Sequence, residues 1–172
     1  MTTTNIPKTL NLGSGKDWKD SYFNADILLR VNPDWWCDIP RIAIPIEEDR
    51  YVSSVEIIEV NDLNTEGLAP GTVGGRNIIH HMIWSTQVLD ENLNEVPGEP
   101  QIPWPVHEIA RNPDIFDPDS GRLLKKGSYV VSDSVHLHST GIDTTGHLLI
   151  GFRFHPVGYE PKYRPAFIGL GN

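Results

Sequence analysis

Four stretches read as the principal strand candidates, and the last two show most clearly the period-2 rhythm of a half-buried strand. Residues 51–60, Tyr-Val-Ser-Ser-Val-Glu-Ile-Ile-Glu-Val, are β-branched and partly alternating. Residues 77–89 form a longer strand candidate that contains His80, His81 and Met82. In residues 128–139, Tyr129, Val131, Val135 and Leu137 are expected on one face, interrupted by Asp133. In residues 147–155, Leu148, Ile150, Phe152 and Phe154 share a face. Between them lie a glycine-rich loop at 67–75 and a polar, proline-containing loop at 90–103. One helical signal appears, one or two turns at 106–111, stopped by Asn112 and Pro113. Several strands with frequent turns predict an all-β antiparallel jelly-roll β-sandwich with long loops and at most one short helix.

Composition agrees with this. Fifteen glycines and 14 prolines among 172 residues exclude a long helical bundle or coiled coil. The length provides for one hydrophobic core. A formal net charge of −9 argues against nucleic acid or an anionic membrane surface as partner, since phosphates need a positive face. No apolar run reaches the roughly 18 residues of a membrane span. A single cysteine, Cys37, excludes an internal disulfide and a cysteine-based zinc knuckle. The first seven residues, Met1 to Pro7, show neither a basic nor an apolar segment, so no signal peptide is visible.

Residues 1–34 differ from the remainder and are expected to be an N-terminal extension, foreign to the domain or loosely packed on its edge. Thr9-Leu-Asn-Leu-Gly13-Ser-Gly15, followed by Tyr22-Phe-Asn-Ala-Asp26, resembles the start of a methyltransferase dependent on S-adenosylmethionine. In such a fold the glycine turn approaches the nucleotide and the acid holds its ribose. There is little room for a crossover helix between Gly15 and Tyr22, and no strand–helix alternation follows. The competing reading is a glycine turn between two ordinary strands.

The chemistry lies in the histidines. His136 and His138 are two apart on one strand and share a face. Facing an imidazole from a second strand, they can close a site of three nitrogens, a donor set that suits copper, zinc or nickel. Nothing here forms an oxygen-rich calcium or magnesium site. His80 and His81 are adjacent, so a regular strand sends them to opposite faces; both reach one ion only at a strand end, a bulge or a twisted edge. The alternative is that the histidines satisfy hydrogen bonds without any metal.

The run Val73-Gly-Gly-Arg-Asn-Ile-Ile-His80-His81-Met82-Ile-Trp84 resembles the His-His-Met signature of the ascorbate-dependent type II copper monooxygenases. That family includes peptidylglycine α-hydroxylating monooxygenase and dopamine β-monooxygenase. Val135-His136-Leu-His138-Ser-Thr-Gly141 is similar to the family's Val-His-Tyr segment, and residues 147–156 to the strand that follows it. Trp35-Trp36, Ile39-Pro40 and Glu48-Asp-Arg-Tyr-Val52 resemble its opening strands, so the likeness spans residues 35–172. The resemblance implies a single copper-binding jelly-roll domain over 35–172, matching the family's first, electron-transfer domain. It implies His80, His81 and His136 as ligands of one copper and His138 as a residue behind them. If His-x-His corresponds instead to the family's second domain, both His136 and His138 ligate. It further implies ascorbate as external reductant and a second copper domain or chain that supplies the oxygen-activating site, since residues 169–172 fall where that domain would begin. An extracellular or periplasmic location follows from the family alone.

Other residues have plainer readings. His107 is a further ligand, a residue behind the ligands, or a loop histidine. His147 and His155 are expected on the polar face of their strand, and Met82 in the core. Trp35, Trp36, Trp84 and Trp104 either line a groove or pack the sandwich. Three functions remain open: a copper-binding electron-transfer domain of a monooxygenase-like protein, incomplete as a hydroxylase; a metal-free structural or ligand-binding sandwich; and a methyltransferase fragment.

Overall fold

Alternating apolar side chains build two antiparallel sheets that bury their facing sides against each other. The computed structural model describes residues 26–29, 35–37, 41–68, 76–109, 111–137 and 144–164. In chain order the strands are β1 (Asp26–Leu29), β2 (Trp35–Cys37), β3 (Ile42–Ala43), β4 (Arg50–Asn61), β5 (Ile79–Val88), β6 (Ile102–Pro103), β7 (His107–Glu108), β8 (Asp114–Ile115), β9 (Arg122–Leu124), β10 (Ser128–Leu137) and β11 (Thr144–Phe154). One sheet runs β1-β11-β4-β8, with β9 also on β4; the other runs β2-β10-β5-β6, with β3 on β10 and β7 on β5. The described residues contain no helix, and each strand pair is antiparallel. They therefore build none of the strand–helix alternation of a methyltransferase.

The four long strands match the four apolar stretches. β4 and β11 form the spine of one sheet, β5 and β10 that of the other. Val52, Val55 and Ile57 of β4 and Leu148, Ile150 and Phe152 of β11 meet Ile79, Met82 and Trp84 of β5 and Val130, Val135 and Leu137 of β10 in one core. Trp84 and Trp104 stack with centroids 5.5 Å apart, and Phe152 stands edge-on to Trp104 at 5.1 Å. Both indoles are buried, and each finds an acceptor: Trp84 Nε1 donates to the Pro105 carbonyl at 2.8 Å and Trp104 Nε1 to Thr86 Oγ1 at 2.9 Å. These two tryptophans are core, not groove. Met82 is fully buried as expected.

Three expectations need correction. The helical turns at 106–111 do not form: His107 and Glu108 pair instead with Met82 and His81 of β5. Only a few residues separate Pro105 from Pro113 there, too few for a helix to offset its nucleation cost, whereas β5 offers ready ladder partners. The single face drawn through Tyr129, Val131, Val135 and Leu137 is also wrong. The ladder between β10 and β5 shifts register between Val131 and Ser134, so Val130 and Ser132 point inward before the irregularity and Val135 and Leu137 after it. One inserted residue moves the alternation by one phase. The inward Ser132 is satisfied by donating to the Ile83 carbonyl at 2.7 Å. Finally, the loop at 90–103 ends in β6, whose Ile102 and Pro103 pair with Thr86 and Ser85 of β5.

Part of the 1–34 segment is described: β1 lies along β11 as an edge strand, and Asp26 pairs with His147. Residues 1–25, including the Gly13–Gly15 turn, lie outside the described residues, as does the loop at 69–75.

Candidate metal centre

β5 has inward positions at Ile79, Met82 and Trp84. A regular strand would place them two apart throughout; here the first gap is three. The two residues inside that gap are His80 and His81, both half-buried. The pairing accounts for this, because His81 sits opposite His136 and Ile79 opposite Leu137, leaving His80 with no counterpart on β10. His80 is thus the extra residue of a β-bulge. The bulge sends both imidazoles to the outer side of the sheet, where His136 already stands between the inward Val135 and Leu137.

The three rings form a near-equilateral triangle. Their centroids lie 4.8 Å (His80–His81), 5.0 Å (His80–His136) and 4.9 Å (His81–His136) apart. One nitrogen from each falls within 4.8 Å of the others, a group that could hold a metal ion. His80 Nδ1 and His136 Nδ1 are 3.0 Å apart and share a hydrogen bond, one ring donating and the other accepting. Two nitrogens bonded at about 2.1 Å to one ion are at most about 4.2 Å apart, a limit this pair meets.

The electrostatics favour the neutral form of His81. Partial burial holds the His81 imidazole below its ordinary pKa, and repulsion from His80 and His136 adds to this; Glu108, its cross-strand partner, opposes it. A neutral imidazole offers a lone pair, which an imidazolium does not. Sequence reasoning did not single out Glu108. Its signal was positional, one residue after His107, and became visible only once β7 was found beside β5.

The remaining candidates separate clearly. His107 is buried and opposite the inward Met82, so it lies on the core side of the sheet and apart from the three-histidine group. Burial pushes its pKa down to about 4. His138 follows the last residue of β10 and lies outside the described residues, as do the side chains of Cys37 and His147. The Cys37 backbone pairs with Val135, and Trp36 occupies the register position opposite His136. His155 has a structural role: its Nε2 lies 2.8 Å from the Ser120 carbonyl, and its ring stacks on Tyr159 at 3.8 Å.

Compared with models of known protein families, with curated protein sequences and with solved structures, the chain finds no significant match.

Proposed function

We propose that this chain is a copper-binding domain in which His80, His81 and His136 hold one ion, serving electron transfer in a monooxygenase-like system. One observation carries the reading: a bulge turns two adjacent histidines to the same side, against a third directly across the ladder. A strand pays for a bulge in lost pairing, and this one brings three imidazoles together at a surface that a small ion can reach. The donor set is all nitrogen, with no thiolate or carboxylate in the group. Such a set suits copper, zinc or nickel, and the likeness of the His80–Met82 run to the copper monooxygenases selects copper.

When bound, copper would cycle between its two oxidation states and carry one electron at a time. The chain's own contribution is placement. The ladder orients His81 and His136, the bulge presents His80, and Glu108 adds negative charge beside His81. Binding through both Nδ1 atoms requires the proton held between His80 and His136 to move to the Nε2 of its ring, so that both Nδ1 lone pairs face the ion. In this reading ascorbate or a similar reductant supplies electrons, and hydroxylation depends on a second copper centre in another domain or chain.

The test is copper stoichiometry after loading and desalting, on wild type, His81→Ala and His136→Ala. One copper per wild-type chain, lost in both variants, is expected. Retained copper should also raise the unfolding temperature of wild type alone, because a ligand at 100-fold its Kd adds about 2.7 kcal/mol to the native state. No retained copper, or equal retention in all three, favours the metal-free sandwich, in which the His80–His136 hydrogen bond is the purpose of the pair.

A further inference from the structure

Glu59 lies near the end of β4, in the sheet opposite the histidines, yet its carboxylate reaches the backbone that leads into them. Glu59 Oε1 accepts from Ile78 N at 2.7 Å, and Oε2 accepts from Ile79 N at 3.0 Å. Asn61, two residues on, donates through Nδ2 to Glu59 Oε1 and to the Arg76 carbonyl at 2.9 Å. The segment 76–79 is therefore gripped from the other sheet just before His80. On the far side of the bulge, the His80 carbonyl accepts from Ile109 N at 3.0 Å.

A carboxylate is an unusual choice for this task. Burial raises the Glu59 pKa despite three hydrogen bonds that lower it, with burial the larger effect. Two apolar residues in regular register would bury that space more cheaply. What the carboxylate provides is a two-pronged acceptor that fixes two consecutive amides at once. A bulge is a place where register can slip, and a slip of one residue at Ile79 would turn His80 away from His136.

We infer that Glu59 is a positioning residue for the three-histidine centre, clamping the Ile78 and Ile79 amides so that the bulge presents His80 beside His136. The inference rests on the metal-centre reading for its importance, but the clamp itself is measurable without metal.

The experiment compares the full 172-residue chain with Glu59→Gln and with Val52→Ala, a core change remote from the histidines. A glutamine keeps one acceptor and puts an NH2 against the second amide. Copper(II) affinity is read by competition with a chromophoric chelator, global stability by thermal unfolding, and local order by amide exchange of Ile79 in the metal-free protein. The expected result for Glu59→Gln is at least tenfold weaker copper binding and at least tenfold faster Ile79 exchange. Val52→Ala should match or exceed its loss of thermal stability with copper affinity within twofold of wild type. Copper affinity within twofold of wild type in Glu59→Gln, or unchanged Ile79 exchange, would overturn the inference. If wild type binds no copper, the metal-centre reading fails, and Ile79 exchange still decides whether Glu59 is the clamp. Should Glu59→Gln not fold, Asn61→Ala removes the neighbouring tie; it is expected to weaken binding and speed Ile79 exchange in the same direction, and no change in either would count against the clamp.

Discussion

His107 shows how one buried side chain sets a pH limit on the whole domain. Its imidazole faces the core, and burial outweighs the opposing charges of Asp114 and Glu108 to bring its pKa from 6.5 to about 4. The folded state thus binds this proton less readily than the unfolded chain. The stability contributed by neutral His107 is complete above pH 6.5 and is lost as pH falls from there toward 4. At 1.36 kcal/mol per unit the loss reaches about 3 kcal/mol. Urea unfolding at pH 7 and pH 4.5 should show wild type losing appreciably more stability than His107→Gln over that interval. Equal losses would place the acid sensitivity elsewhere. His81 obeys a different rule at the same scale: it lies on the outer side of the sheet, and its pKa is lowered by partial burial and by the neighbouring His80 and His136.

At the scale of the element, the β5 bulge is the feature that gathers three imidazoles where an ordinary strand would bring two. Ile79, His81 and Met82 would alternate in, out and in if His80 were absent. Deleting His80 should therefore give a β5 of regular register, with the core contacts of Ile79 and Met82 kept and the three-nitrogen group reduced to two. The deletion is expected to leave the unfolding temperature within a few degrees of wild type while abolishing tight copper binding. His80→Ala keeps the bulge and loses only the ligand, so both variants should fail to retain copper. A deletion variant that still holds one copper as tightly as wild type would show that His80 is not part of the centre. Bulges recur where a sheet must re-aim a side chain, and β10 carries another beside the same site, between Val131 and Ser134. The outer face beyond it includes Ile83, 53% exposed and two residues from His81.

For the whole molecule, stability rests on one core that both sheets share. Phe152, fully buried in β11, touches Trp84 and Trp104, which belong to the opposite sheet and to the segment between β6 and β7. Phe152→Ala should cost roughly 3–5 kcal/mol, the transfer term plus the cavity left behind. Because the core is common to both sheets, far-ultraviolet circular dichroism and tryptophan fluorescence should report a single coincident transition in wild type and variant alike. Two separated transitions would mean that the sheets unfold independently. The three-histidine group lies on the outside of this core, so Phe152→Ala is expected to lower stability with little change in any copper affinity of the group while the protein remains folded.

Read alone, the sequence determined the class of fold and the location of the four long strands, because runs of β-branched and apolar residues and, in two of them, period-2 alternation are local properties that survive without knowledge of partners. It also singled out His80, His81, His136 and His138 as the residues to watch, and showed that the adjacent pair needs a strand end, a bulge or a twisted edge to act together. Only the tertiary structure decided that the bulge exists, since register belongs to two strands at once: Ile79 opposite Leu137 and His81 opposite His136 leave His80 over. The same dependence on a partner explains what the sequence misplaced. The 106–111 stretch reads as a helix until β5 offers a ladder, and the inward face of β10 changes phase where its register shifts. Glu59 was invisible for the same physical reason. A charged residue on a strand reads as solvent-facing, and nothing in its local sequence records the amides of Ile78 and Ile79 that approach it from the other sheet.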